Sequence, residues 1–162
     1  MIDVVDKATR SRMMAGIRGK DTKPELVLRR ALHHLGLRYR LHVSGLPGRP
    51  DMALPKYRAA IEVQGCFWHR HQNCEFCTDP ASNKDFWKTK FDETVNRDKR
   101  NLAALQKLGW RVAVVWECSI KEQGAEVVAG RLAAWLRSGR SFKEISSRNS
   151  TRVSRPSAKK RK

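Results

Sequence analysis

Between Val63 and Cys77 the sequence VQGCFWHRHQNCEFC gathers three of the chain's four cysteines and two of its five histidines. Thiolate sulfur and imidazole nitrogen are the ligands tetrahedral zinc prefers, and close ligand pairs with a distant clamp are its usual spacing. Cys66, His71 and Cys74 lie close together. Cys118 closes the apolar run WRVAVVWE and can be brought to the same point by a sheet. Cys74 and Cys77 also form a C-x2-C pair. Two ligand sets therefore remain open: Cys66, His71, Cys74 and Cys118, or the four cysteines with Cys77 in place of His71. The competing reading is buried free cysteines, which cores often hold. Crowding beside histidines in a polar loop argues for the metal, and a closed four-ligand site would pin a loop too polar to hold its own shape.

A second constellation is made of carboxylates. Pro50-Asp51 opens one strand-like run and Glu62-Val63-Gln64 closes the next, the pattern PD…E-x-Q. Paired oxygen donors suit a hard cation such as Mg2+, which keeps waters available for reaction. The plain alternative is Asp51 shaping a turn and Glu62 on a solvated strand face. Asp98 falls inside the apolar stripe Trp87, Phe91, Val95, Leu102, Leu105 of a long helix. A carboxylate there needs a partner. His69, which neither zinc set requires, would make a His–Asp pair of the kind used in general acid–base work; a salt bridge to Arg97 or Arg100 would serve Asp98 equally well. Glu25 reads as the acidic member of the capping box Thr22-Lys23-Pro24-Glu25. His33, His34 and His42 read as surface or packing residues.

The elements that must position these groups follow from periodicity and punctuation. Asp6 to Gly19 reads as a basic helix. A second helix carries Leu28, Ala31, Leu32 and Leu35 and stops at Gly36. Arg38 to Val43 alternates as a strand. Asp51 to Leu54 and Tyr57 to Val63 read as a hairpin about Pro55-Lys56. A helix from Asn83, as N-cap, to Leu108 leads to a buried strand, Trp110 to Glu117, and a last helix runs from Glu126 to Leu136. The order implies an α/β sandwich around a mixed sheet, with the long helix as a crossover. Residues 1–140 form the expected domain and 141–162 an expected disordered basic tail.

The charge balance bounds the partner. The chain has 34 Lys+Arg against 16 Asp+Glu, a net charge of +18. Seven of those basic residues lie in the last fifteen, yet the remainder is still basic. Such an excess favours a polyanion, since each Lys or Arg set on a phosphate releases a condensed counterion. The start, MIDVVDKATR, lacks the apolar region of a signal peptide, and no apolar run reaches membrane-spanning length. A cytosolic protein with no membrane partner is expected, and a reducing compartment favours metal over disulfides for the cysteines.

Taken together, DKATRSRMM, LPGRPD, GCFWHRH, SNKDFW, NRDKRN and GWRVAVVWEC resemble the very short patch repair (Vsr) mismatch endonucleases, over roughly residues 3 to 137. The resemblance implies a restriction-endonuclease-like fold with a structural zinc loop. It implies nicking of double-stranded DNA on the 5′ side of the thymine in a T·G mismatch left by deaminated 5-methylcytosine. By it, Asp51 and the main-chain carbonyl of Val63 bind catalytic Mg2+, with Glu62 a further candidate. His69 is the general base, Asp98 its partner, and Glu25 the acidic residue of the early helix. Zn2+ falls to Cys66, His71, Cys74 and Cys118. Phe67 and Trp68, opposed by Met14, match a wedge that opens the duplex; core packing is their ordinary alternative. Family members often carry histidine where Gln64 stands, and glutamine can hydrogen-bond phosphate but not relay protons. The expected protein is a monomer in the cytoplasm, associated with the nucleoid and with other repair-pathway proteins. The rivals are a related nuclease that cuts matched sites through Glu62 and a zinc DNA-binding module without catalysis.

Overall fold

The computed structural model of the chain describes residues 6–15 and 20–148; the side chains of Arg10, Met13, Met14 and Ala15 lie outside the description. Helix α1 covers Lys7–Ala15 and α2 covers Lys23–His34. Strands β1 (Arg40–Leu41), β2 (Met52–Leu54) and β3 (Ala59–Gln64) follow. Then come α3 (Lys84–Lys107), β4 (Arg111–Trp116), α4 (Glu117–Gln123), α5 (Ala125–Arg137) and β5 (Phe142–Ile145). The five strands lie in sequence order. The first three are antiparallel, and β3, β4 and β5 are parallel. A parallel step needs a crossover; α3 supplies one and the α4–α5 pair the other.

Alternation along the central strands sorts the core into two halves. Ala59, Ile61 and Val63 of β3 and Ala113 and Val115 of β4 meet Leu28 and Leu32 of α2 and Val128 and Leu132 of α5. Ala60 of β3 and Val112, Val114 and Trp116 of β4 face Leu102 and Leu105 of α3. With helices on both faces, β4 is apolar at every turn of its pleat, as a covered parallel strand should be. The last residues of β3 on the α3 face break the pattern: they are Glu62 and Gln64.

Several boundaries differ from the sequence reading. The expected strand from Arg38 shrinks to a two-residue edge pairing. The Pro55-Lys56 turn is a single 3-10 turn closed by Arg58 at φ 47°, so β3 starts at Ala59. At α2 the capping box is displaced by one residue: the Glu25 carboxylate accepts from Asp21 N–H at 3.0 Å, and the Thr22 hydroxyl donates to Glu25 rather than to the backbone. Asn83 is the N-cap residue of α3 but takes φ 53° and makes no side-chain cap. Helix α4, which holds Cys118 in its first turn, has no counterpart in the periodicity analysis.

Residues 141–148, expected in the tail, belong to the described fold. Phe142–Ile145 pairs in parallel with Val112–Val115, and Ile145 is fully buried. The edge strand FKEI is four residues with two charges between its apolar ends, too short and without alternation, so the sheet rather than its own pattern orders it. Arg111 secures this end: its guanidinium donates to the carbonyls of Trp135, Leu136, Ser138 and Arg140 at 2.7 to 3.0 Å. Those bonds satisfy the carbonyls that the end of α5 leaves unpaired. Residues 149–162 of the expected tail lie outside the described residues. Among the described residues no helix is long and apolar enough to cross a membrane.

If β5 belongs to the fold, Ile145→Ala removes a fully packed side chain and costs about 2–4 kcal/mol in urea-induced unfolding. A change within about 0.5 kcal/mol, the usual cost of a surface substitution, would return this segment to the tail.

Candidate metal and acid–base centre

The site forms where the sheet's central strands end. Continuing the β2–β3 register by one residue sets Asp51 opposite Glu62, and the Val63 N–H donates to Asp51 Oδ2 at 2.7 Å. The loop before Asp51 is pressed on α3. Gly48 has φ 72°, and a Cβ there would stand 2.6 to 2.9 Å from the Asn101 side chain, so only glycine fits without displacement.

Four acidic side chains converge here. Burial, then the charge of Glu25 and, more weakly, of Glu62, pushes the Asp51 carboxyl up to about 7 against a single relieving bond from Val63. Burial and then the charge of Asp98 raise Glu62, while His69 and Arg97 oppose the rise. Gln64 is buried and donates to Glu62 Oε2 at 3.3 Å. His69 Nδ1 lies 2.6 Å from Asp98 Oδ2, across from the metal-rich loop to α3. A carboxylate only accepts, so Nδ1 of His69 carries the proton of this bond, and in the neutral ring the lone pair is on Nε2. Among the described residues the ion-pair partner of Asp98 is the His69 imidazole, not Arg97 or Arg100.

Glu25 has a larger part than a cap. It is 2% exposed, bonds Arg29 Nη2 at 2.8 Å, and acts electrostatically on Asp51. His42, read in the sequence as a surface or packing residue, stands between Asp21 and Asp51, 3.6 Å and 4.0 Å away. No spacing rule marks it, because β1 and β2 bring it there.

Cys66, His71, Cys74 and Cys118 place one ligand atom each within 4.8 Å of all the others. Zinc bonds of about 2.3 Å to sulfur and about 2.0 Å to nitrogen at tetrahedral angles set those ligands about 3.5 Å apart. His71 Nδ1 is 3.6 Å from Cys66 Sγ and 3.4 Å from Cys118 Sγ. The geometry therefore fits a four-ligand metal centre, and Cys77 is outside the set. Burial lowers the His71 imidazole and raises the Cys66 and Cys74 thiols. The neutral imidazole suits a ligand, and a cation would be needed to hold the sulfurs as thiolates. Support comes from beyond the loop. The His71 ring stacks on Trp116 at 4.1 Å, the Trp116 indole donates to Glu144 of β5, and the Ser147 N–H donates to Cys118 Sγ at 3.4 Å.

Between the ligands Cys66 and His71, Phe67 and Trp68 are half-buried. They join Trp87 and Phe91 of α3 in a cluster with ring centroids 5.1 to 5.9 Å apart. The Arg70 guanidinium lies 4.2 Å from the Phe91 centroid, is ion-paired with Asp79 and donates to the Thr78 carbonyl. The packing reading of these aromatics and the reading as a contact surface thus share one cluster, and Trp87, assigned from periodicity to the core, belongs to it. Met14 is on α1, but its side chain lies outside the described residues.

A family model described as DNA mismatch endonuclease Vsr matches residues 2–75. The chain is similar to the DNA mismatch endonuclease Vsr of Escherichia coli (strain K12), 42% identical over 139 residues, 84% of this chain and 88% of that one. It is 43% identical over 125 residues to the type II nicking enzyme V.XorIIP of Xanthomonas oryzae pv. oryzae, 77% of this chain and 91% of that one. To the type II nicking enzyme V.NmeAIP of Neisseria meningitidis it is 40% identical over 123 residues, 76% and 87% of the two chains.

Two expectations follow from the geometry. Purified protein carries one equivalent of tightly held metal by elemental analysis; Cys77→Ser keeps it and Cys74→Ser loses it, whereas loss in both would return Cys77 to the ligand set. Asp51, raised from 3.8 to about 7, binds its proton more tightly folded than unfolded. The effect of Asp51 on stability is thus most favourable at low pH and turns against folding as pH rises from about 4 through about 7. Without added Mg2+, Asp51→Asn should gain on the order of 2–4 kcal/mol at pH 8 and far less at pH 5. Denaturant melts at the two pH values measure the difference, and an equal or reversed gain would contradict it.

Proposed function

This chain belongs to the family of Vsr DNA mismatch endonucleases, and from that membership we propose that it nicks double-stranded DNA on the 5′ side of the thymine in a T·G mismatch. The observation that carries the reading is the His69–Asp98 pair at 2.6 Å, next to the acidic group of Asp51 and Glu62. A restriction-endonuclease-like fold is part of this reading, supported by a mixed sheet with helices on both faces and acidic residues at the ends of its central strands.

The donor set suits a hard divalent ion. Asp51, the Val63 carbonyl and, flanking them, Glu62 are oxygen donors, and the crowded negative charge that raises Asp51 is what a cation relieves. Bound there, Mg2+ would supply charge stabilisation at the phosphate and a more acidic water. The protein's own groups do the rest. Asp98 holds the His69 ring and its Nδ1 proton, so Nε2 takes the proton from the attacking water. Gln64 has no proton to exchange and instead orients Glu62. Glu25 adds to the negative field at Asp51 while Arg29 limits it. Zinc at Cys66, His71, Cys74 and Cys118 holds the loop from which Phe67, Trp68 and His69 project.

Phe67 and Trp68, braced on Trp87 and Phe91, form an apolar platform for a base step opened at the mismatch. Unstacking costs about a few kcal/mol per step and less at a mispair, so recognition draws partly on deformability. The charge of +18 suits the phosphate backbone. A cytoplasmic monomer working on nucleoid DNA, alongside other repair proteins, completes the reading.

The test is a pair of labelled duplexes that differ only in T·G against C·G, incubated with Mg2+. The expected product is a single nick 5′ of the thymine in the mismatched duplex alone. His69→Ala should lose about 10²–10⁴-fold in rate while binding the duplex as before. Equal cutting of both duplexes would favour the matched-site nuclease. No cutting by the wild type, with binding that survives Asp51→Ala, would favour the non-catalytic zinc module.

A further inference from the structure

The buried group around Arg29 is not absorbed by the mechanism above. Arg29 donates from Nη1 to Asp21 Oδ1 at 2.8 Å and from Nη2 to Glu25 Oε2 at 2.8 Å. The same Nη2 lies 3.1 Å from His42 Nε2. Asp21, Glu25 and His42 also cluster closely enough to suggest a cation site. The guanidinium among them already supplies the positive charge, so a second metal is not argued.

The imidazole is more informative. His42 Nε2 also faces Asp21 Oδ1, but at 3.6 Å, beyond hydrogen-bond distance; its close contact is the guanidinium, which can only donate, so Nε2 accepts and Nδ1 carries the ring proton. Nδ1 faces Asp51 Oδ1 at 4.0 Å. The other carboxylate oxygen, Oδ2, is already held by Val63 N–H. His42 reaches this place with φ 44°, a left-handed conformation uncommon for a side chain of its size. Strained backbone of this kind gathers at functional sites.

We propose that His42, its Nε2 held by Arg29, is a positioning residue for Asp51: from 4.0 Å its Nδ1 edge limits how the carboxylate turns, and when a divalent ion binds it closes to donate to Oδ1, leaving that oxygen's other lone pair to the ion. A neutral imidazole does this without adding a positive charge that would compete with the cation. The inference rests on the reading of Asp51 as the Mg2+ ligand. It concerns the ion's affinity, not DNA binding or the proton transfer at His69.

Outer-shell partners of metal ligands are worth about 10–100-fold in metal affinity. The test uses zinc-loaded protein bound to a T·G duplex with a non-hydrolysable linkage, titrated with Mn2+ and read by electron paramagnetic resonance. His42→Leu should weaken Mn2+ binding about tenfold or more, leave duplex affinity without divalent ion unchanged, and be largely overcome in nicking by saturating Mg2+. His42→Asn, whose amide N–H takes the place of Nδ1–H, should restore most of the Mn2+ affinity. Unchanged Mn2+ affinity in His42→Leu, or equal loss in both variants, would overturn the proposal. A second measurement needs no variant of altered stability: 15N spectra of histidine-labelled wild type, with the His42 signal assigned by its absence in His42→Asn, should show the proton on Nδ1. A proton on Nε2 would equally overturn it. Wild-type protein that binds Mn2+ with this dependence on His42 but does not nick would sink the nuclease reading while leaving the positioning role intact.

Discussion

The tie between the ends of two neighbouring parallel strands is the constraint on which the site depends. Cys66 follows β3 by one residue beyond Gly65, and Cys118 follows β4; His71 stands within 3.6 Å of both sulfurs. Only four residues separate Cys66 from His71, and they are Phe67, Trp68, His69 and Arg70. Fixing the two ligands leaves those four side chains few places to go. His69 meets Asp98, Phe67 and Trp68 meet the aromatic face of α3, and Arg70 covers Phe91. A closed tetrahedral centre suits such a task because it sets direction as well as distance. The candidate base and the candidate platform for a base step therefore share one scaffold.

The second constraint is charge. Glu25, Asp51, Glu62 and Asp98 stand in electrostatic succession, with burial as the main reason for the rise at Asp51 and at Glu62. A fold selected for stability alone would not gather them. Arg29 answers Glu25, His69 answers Asp98, and Gln64 holds Glu62. Asp51 accepts one hydrogen bond, from a backbone N–H at 2.7 Å, with weaker relief from Arg29, and is the group for which a divalent ion makes the greatest difference. The four acidic side chains lie at one end of the sheet, while its interior is an ordinary two-sided apolar core.

Much of this was legible in the sequence, and the parts that were not share a cause. The Cys–His spacing and the misplaced Asp98 in an apolar stripe are local signals, and the structure has the first as a closed set of four and the second paired with His69. Spacing left His71 and Cys77 open, the resemblance implied His71, and the fold of the loop brings His71 and not Cys77 to the other three ligand atoms. His42 carries no pattern of its own and acquires a role through the pairing of β1 with β2. Strand β5 was hidden because FKEI is short, does not alternate and lies at an edge, where strand order comes from the neighbour rather than from its own pattern. Yet Glu144 and the adjoining Ser147 back the metal ligands by bonding Trp116 and Cys118. Trp87 looked like core because helix periodicity cannot tell a buried stripe from one that continues into a half-exposed aromatic cluster.

The account stands or falls on His69 and Asp98 working as one unit at the scissile phosphate. A double-mutant cycle measures that directly, using single-turnover nicking of a T·G duplex by His69→Ala, Asp98→Asn and the double variant. If the carboxylate acts only through the imidazole, the double variant is as slow as His69→Ala and no slower. Losses that multiply, each substitution costing the same factor whether or not the other is present, would contradict it.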